Sequence, residues 1–268
     1  MTDTTRKTAD DAELDKSKAP LLEHLIELRK RLLLCVLVLG VSFGICLWQA
    51  RPIFGFLAQP LLSAGQGRLV YTGIFEAFFA EIKVAFFAAL MVSFPFIANQ
   101  IWRFVAPGLY SREKKAFAPF LILTPFLFLG GAAMAYYFCM PVALKFLMSY
   151  QGSIGGVQAE ALPGIGNYLS FSMHFLFGFG VAFLLPVLLM LLNAAGLVTR
   201  HQLKRGRRYA IVIAFVVAAV LTPPDVISQL LLAGPLAILY EISLLAMWIT
   251  EKRREKKARA EAAEAEAA

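Results

Sequence analysis

Six apolar runs, at about 32–50, 77–101, 117–138, 168–192, 209–222 and 230–249, decide what this chain can fold into. A helix needs roughly 20 apolar residues to cross the hydrocarbon of a bilayer, and most of these runs meet that length. Only 16% of the residues are charged, 59% are hydrophobic and the mean hydropathy is +0.68. No soluble domain of 268 residues has that composition, whereas a polytopic membrane protein does. The fifth and sixth runs are at or below spanning length, so they are expected to thin the bilayer or stop short of one face.

Basic residues set the orientation. Twenty-two Lys and Arg fall before the first run, in alternate loops (Arg103 to Lys115 and Arg200 to Arg208) and after the last run. The other loops hold only Arg51, Arg68 and Lys145, and Lys83 lies inside a run. The asymmetry predicts an all-α integral membrane protein with six transmembrane helices and both termini in the cytoplasm. The net charge of +8 then reflects topology and attraction to the anionic bilayer surface. It is not a nucleic-acid footprint, since no basic and aromatic binding module accompanies it. Three parts follow: a polar, disordered segment 1–20, a six-span domain 21–250 and a charged cytoplasmic tail 251–268.

The stretch His24-Leu25-Ile26-Glu27-Leu28-Arg29-Lys30-Arg31-Leu32 leads without a break into the first run. At 100° per residue Leu21, Leu22, Leu25, Leu28 and Leu32 share an arc, with Glu23, Glu27, Lys30 and Arg31 opposite. Arg29 violates the pattern, projecting from the apolar arc. There it must snorkel, pair with an acid or meet a partner.

Further on, Gly40 and Gly44 give a small-xxx-small spacing suited to close helix packing. The loop from Arg51 to Thr72, rich in Pro and Gly, is expected to form interfacial helices or a cap. Pro95, Pro119, Pro125 and Pro186 lie within runs and predict kinked spans in a cupped bundle. Thr222-Pro223-Pro224-Asp225 reads as a tight outer turn between the last two spans.

Enzymatic signatures are absent: no phosphate-binding G-x-x-x-x-G-K-[ST], no H-E-x-x-H, no G-x-S-x-G. His24, His174 and His201 are scattered. Cys35, Cys46 and Cys139 show neither metal-ligand nor disulfide spacing. The chain is therefore expected to be no enzyme and to hold no metal or cofactor. Acids in basic or apolar surroundings remain. Glu27 can pair with Arg31 on its own helix, or offer its carboxylate to a cationic segment. Glu113 is the one acid in a loop with Arg103, Arg112, Lys114 and Lys115, and Glu241 interrupts the sixth run. Two carboxylates at the cytoplasmic interface suit guanidinium groups, whose fork pairs with them bidentately. A secondary transporter of a small solute is the alternative, but its midplane charges and internal repeat are not seen.

Three stretches resemble the TatC family, the multispanning core of the twin-arginine protein translocase. They are His24–Leu32, Gln100-Ile-Trp-Arg-Phe-Val-Ala-Pro-Gly-Leu-Tyr110 with Glu113-Lys-Lys115, and Leu221-Thr-Pro-Pro-Asp-Val226 with Ser228-Gln229. The resemblance implies a cup-like bundle that receives twin-arginine signal peptides of folded precursor proteins at its cytoplasmic face. Glu27, Arg29, Phe104 and Glu113 match that receptor surface, while Pro60 and Asp225 match outer-loop positions. It further implies TatB-like and TatA-like single-span subunits as partners, docking near Ala219, Val220 and Leu221. Homo-oligomers in the inner membrane and transport driven by the proton-motive force are implied as well. One departure stands out. Many members carry a Glu or Gln before the proline equivalent to Pro186, where this chain reads Phe183-Leu184-Leu185. His174, about ten residues earlier in that span, is the candidate replacement.

Overall fold

The computed structural model describes the backbone of residues 3–109, 114–154, 157–159, 162–194, 196–222 and 226–267. Glu113, Asp225 and the Pro223–Pro224 turn lie outside the described residues. Among the described residues, ten α-helices and one short hairpin follow in order. Helix α1 is Asp3–Trp48, α2 Ala50–Ser63, α3 Glu76–Leu109 and α4 Lys114–Met134. A π-helical turn, Ala135–Cys139, joins α4 to α5, Met140–Met148. Strands β1 (Gly152–Ile154) and β2 (Val157–Ala159) pair antiparallel. Then come α6 (Ile165–Ala182), α7 (Leu185–Ala194), α8 (Arg200–Arg205), α9 (Arg207–Leu221) and α10 (Val226–Ala267).

Five of the described stretches are long and apolar enough to cross a membrane: 24–48, 76–104, 123–148, 165–194 and 226–252. The fifth apolar run forms α9, whose 15 residues reach about 22 Å at 1.5 Å per residue, short of a full hydrocarbon layer as its length predicts. The sixth run is not short. Ser228 and Gln229, which end the apolar count, lie inside α10, where Ser228 is buried and Gln229 Nε2 donates to the Phe215 carbonyl at 3.2 Å. The hairpin is a small addition to an otherwise helical fold. Residues 3–20, expected to be disordered, continue α1 as helix. The loop expected to form interfacial helices or a cap contains one helix, α2.

Two irregular turns coincide with prolines, whereas α3 runs unbroken through Pro95 and α4 through Pro119 and Pro125, so those expected kinks do not interrupt their helices; α10 likewise runs through Pro235. Pro141 has no N–H for the Tyr137 carbonyl, and the π turn immediately before it absorbs the mismatch. Pro186 likewise cannot serve the Ala182 carbonyl, and the fourth span breaks there between α6 and α7. Where the third and fourth spans cross, Phe128, Phe175 and Phe179 are fully buried, and Phe175 and Phe179 belong to the main core with residues of α2, α3, α5, α9 and α10. Glycine permits the crossing: a Cβ on Gly180 would stand 2.6 Å from the Phe128 ring, and one on Gly131 2.7 Å from the Phe179 carbonyl oxygen. Gly40 and Gly44 meet nothing within 4 Å, so within one chain the first span does not use its small-residue spacing.

Candidate functional site

α1 and α3 pack against each other, and two cross-links fix their register at one end. The His24 imidazole stacks on the Phe104 ring with centroids 4.2 Å apart and planes 16° from parallel. Two helical turns along α1, Arg31 Nη1 donates to Gln100 Oε1 at 3.2 Å. Phe104 and Gln100 are four apart on α3, so both rungs rise from one face of that helix. Arg31 also grips Glu27 one turn back, through Nε at 3.0 Å and Nη2 at 2.5 Å. Both bonds fall on Oε1, which leaves Oε2 as the oxygen available to a further donor. The Glu27 side chain is 39% exposed against 22% for Arg31. Thus the i, i+4 pair that the spacing allows does form, and it braces the carboxylate without covering it.

Arg29 is exposed and has no ion pair among the described residues. Its neighbours Leu25, Leu28 and Leu32 are exposed too, at 58%, 40% and 59%. The apolar arc of the lead thus faces outward, and Arg29 faces outward with it. Of the four expected receptor residues, Glu27 and Phe104 are brought to one corner, Arg29 lies around the helix from it, and Glu113 is outside the described residues. Sequence spacing could not show that His24 and Gln100 complete the corner, because both contacts cross between helices 69 or more residues apart.

The same end carries an apolar groove of about 830 Å³ between α3, α7, α9 and α10. Phe94, Trp102, Leu184, Leu188, Ile213 and Val217 form much of its wall. Leu184 and Leu185, where the missing polar group is expected, therefore both line an apolar space. His174 does not replace that group: it is outside the groove lining, and its Nδ1 lies 2.6 Å from the Ser170 carbonyl of its own helix. Glu241 does not face the bundle interior. It accepts from Arg207 Nη2 at 2.8 Å and its side chain is 51% exposed. Ala219 and Val220 point outward, Val220 at 80% exposure, while Leu221 tucks onto Gly178.

At the opposite end the contacts go to backbone. Pro60 is buried in α2 and has no N–H for the Phe56 carbonyl; the Tyr136 hydroxyl donates to that carbonyl at 2.6 Å. The Tyr168 hydroxyl donates to the next carbonyl, Leu57, at 2.6 Å. Glu76 accepts from the Gly166 amide at 2.6 Å, the Gly73 amide at 3.1 Å, the Thr72 hydroxyl at 2.9 Å and the Thr72 amide. One carboxylate thereby caps the first turn of α6 and closes the loop before α3. Lys83, which shares a helix face with Glu76, takes no part, and Arg51 pairs instead with Glu81 at 3.1 Å. The clue to Tyr136 was present in sequence, a proline four residues after a carbonyl, but not the identity of the donor.

The family profile described as Sec-independent protein translocase protein (TatC) matches residues 23–235. A relative of that name from Magnetococcus marinus is 46% identical over 250 residues, covering 92% of this chain and 91% of its own. One from Aquifex aeolicus is 40% identical over 240 residues, covering 88% and 98%. A crystal structure described as the twin arginine translocase receptor TatC superposes with a TM-score of 0.71 at 38% identity, over 83% of this chain and 98% of that one. The profile takes in α2 to α9 whole, α1 from residue 23 onward and the first ten residues of α10, and on it the chain belongs to the TatC family of Sec-independent protein translocases.

Proposed function

We propose that this chain is the core receptor subunit of a twin-arginine translocase, binding the consecutive arginines of a signal peptide at the corner built from Glu27 and Phe104. The observation that carries the reading is the braced but open carboxylate of Glu27. Arg31 holds Oε1 in place, Oε2 is left for a guanidinium fork, and the His24–Phe104 ring pair borders the site with π surface on which a guanidinium can rest. Glu113 supplies the second acid in this reading. Both termini face the cytoplasm, as the Lys/Arg asymmetry argues, so the corner opens where precursor proteins arrive. Single-span TatB-like and TatA-like subunits dock along the outward Ala219–Val220 face, further copies of the chain join the complex, and the proton-motive force drives export across the inner membrane. An apolar groove suits an apolar helix better than a polar solute, which counts against a small-solute carrier.

The test is binding of a twin-arginine signal peptide, and of its Lys-Lys counterpart, to nanodisc-embedded wild type, Glu27→Gln and Glu113→Gln. A partly exposed pair losing its charge costs about 1–2 kcal/mol, between the ranges for exposed and desolvated pairs. The preference for arginine over lysine is expected to shrink in both variants. Wild-type affinity in both would move the recognition surface away from these acids.

A further inference from the structure

Beside α8, the start of α9 and the last membrane turns of α10 enclose a second pocket of about 210 Å³. Its wall is divided by chemistry. Arg200, Lys204 and Arg207 supply three cations and Glu241 a single carboxylate. Leu244, Leu245 and Trp248 supply the apolar side. Two of the cations are tethered, Arg207 to Glu241 at 2.8 Å and Arg200 to Glu251 at 3.3 Å. Lys204 has no acid partner among the described residues. Lys252 lies over the Trp248 ring, 5.1 Å from its centroid, and adds a fourth cation at the rim. The pocket therefore holds a surplus of positive charge directly against exposed apolar surface, since Leu245 is 54% and Trp248 41% exposed.

This combination sits at a defined depth. The part of α10 long and apolar enough to cross a membrane ends at Lys252, and α9 begins at Arg207, which puts the pocket at the edge of that apolar stretch, where tryptophan and snorkelling cations mark the headgroup layer. A volume equal to roughly seven waters accommodates a phosphodiester. We propose that this pocket is a binding site for the headgroup phosphate of an anionic phospholipid, with Lys204 and Arg207 on the phosphate oxygens and an acyl chain along Leu245 and Trp248. A free phosphate shares the anionic chemistry but makes no use of the apolar wall. Glu241 opposes the ligand: it occupies Arg207 and repels the phosphate. The pocket is thus a site for lipid that the Arg207–Glu241 pair holds partly closed, and it is separate from the Glu27 corner.

Native mass spectrometry of the full-length chain in neutral detergent, titrated with phosphatidylglycerol, phosphatidylcholine or inorganic phosphate, tests the proposal. Phosphatidylglycerol is expected to be retained in preference to phosphatidylcholine, and millimolar phosphate to leave its occupancy unchanged. Each cation near a charged bilayer surface is worth about 1 kcal/mol, so Lys204→Gln is expected to weaken phosphatidylglycerol about five-fold. Glu241→Gln is expected to strengthen it, a change of sign that a merely structural pair would not give. Equal retention of the two lipids, displacement of phosphatidylglycerol by phosphate, or weaker binding in Glu241→Gln would each overturn it. Should Lys204→Gln fail to fold, the lipid preference of the wild type and the sign of the Glu241→Gln effect still decide the matter.

Discussion

At the Glu76 end of the bundle, side chains close on backbone: one carboxylate takes four donors, and two tyrosine hydroxyls take carbonyls of α2. At the Glu27 end, side chains close on one another: an i, i+4 ion pair, one arginine–glutamine bond and one ring stack. Backbone partners cannot move without unfolding a turn, whereas ion pairs between half-exposed side chains exchange cheaply. Of the two clusters, the one around Glu76 is therefore the more rigid. The far end is fastened so that the loops and α2 keep their place, and the basic end is left able to trade its internal partners for those of a ligand.

Glu76 is the most severe test of this contrast. Glu76→Ala leaves the amides of Thr72, Gly73 and Gly166 and the Thr72 hydroxyl without their acceptor. It is expected to lower the unfolding temperature in detergent more than substitution at Tyr136, Arg31 or Gly44, and far more than Glu27→Ala. Equal losses at the two acids, followed by intrinsic fluorescence on heating, would erase the distinction between the ends.

A finer test lies at Tyr136. Tyr136→Phe leaves the Phe56 carbonyl unpaired beneath Pro60 and is expected to cost about 1 kcal/mol. Pro60→Ala restores an N–H four residues after that carbonyl, so the double substitution is expected to lose less than the two single losses added together. The sign of that coupling, from a double-mutant cycle on thermal stability, reports whether the hydroxyl truly stands in for the missing amide. Additive losses would assign Tyr136 to packing against Phe56, whose ring it stacks on at 4.4 Å.

Arg31 probes the other end. Its pair with Glu27 is a partly exposed i, i+4 helix pair worth about 0.3–0.5 kcal/mol, so Arg31→Gln is expected to shift stability only slightly. It also removes the cation that competes for the Glu27 carboxylate. Affinity for a twin-arginine peptide is therefore expected to rise a few-fold at low salt and to converge on wild type as salt screens the site. A fall in affinity would mean that Arg31 positions Glu27 more than it competes for it.

Much of this architecture is legible in the chain because hydrophobic length and charge asymmetry act locally. Five of the six apolar runs become helices long enough to span, and Pro186, one of the prolines read as a kink, marks an irregular turn; Pro141, which marks the other, is not among them. The Glu27–Arg31 pair follows from helical spacing alone. What the sequence could not reveal crosses between distant elements. Glu76 shares a helix face with Lys83, but it reaches α6, 90 residues away. Gln229 and Glu241 read as breaks in an apolar helix, yet each finds a partner on α9 and the helix runs on. His174 has the position of a substitute for a missing acid; helical phase places it away from the groove that Leu184 lines.

The smallest effect is expected at Gly44, and its smallness carries information. At several other glycines contact is close: a Cβ on Gly166 would lie 2.8 Å from Glu76 Oε1, and one on Gly131 would strike α6. At Gly44 there is open space, so Gly44→Ala meets no clash and gains helix propensity of about 0.5–1 kcal/mol at most. The unfolding temperature of the monomer is therefore expected to stay level or rise slightly. If Gly40 and Gly44 serve to bring a second helix close, the same methyl group stands in the contact, and the fraction of oligomer measured by light scattering falls while the monomer's stability does not. A loss of monomer stability instead would mean that the first span packs more tightly against its own chain than the 4 Å of free space around these glycines allows.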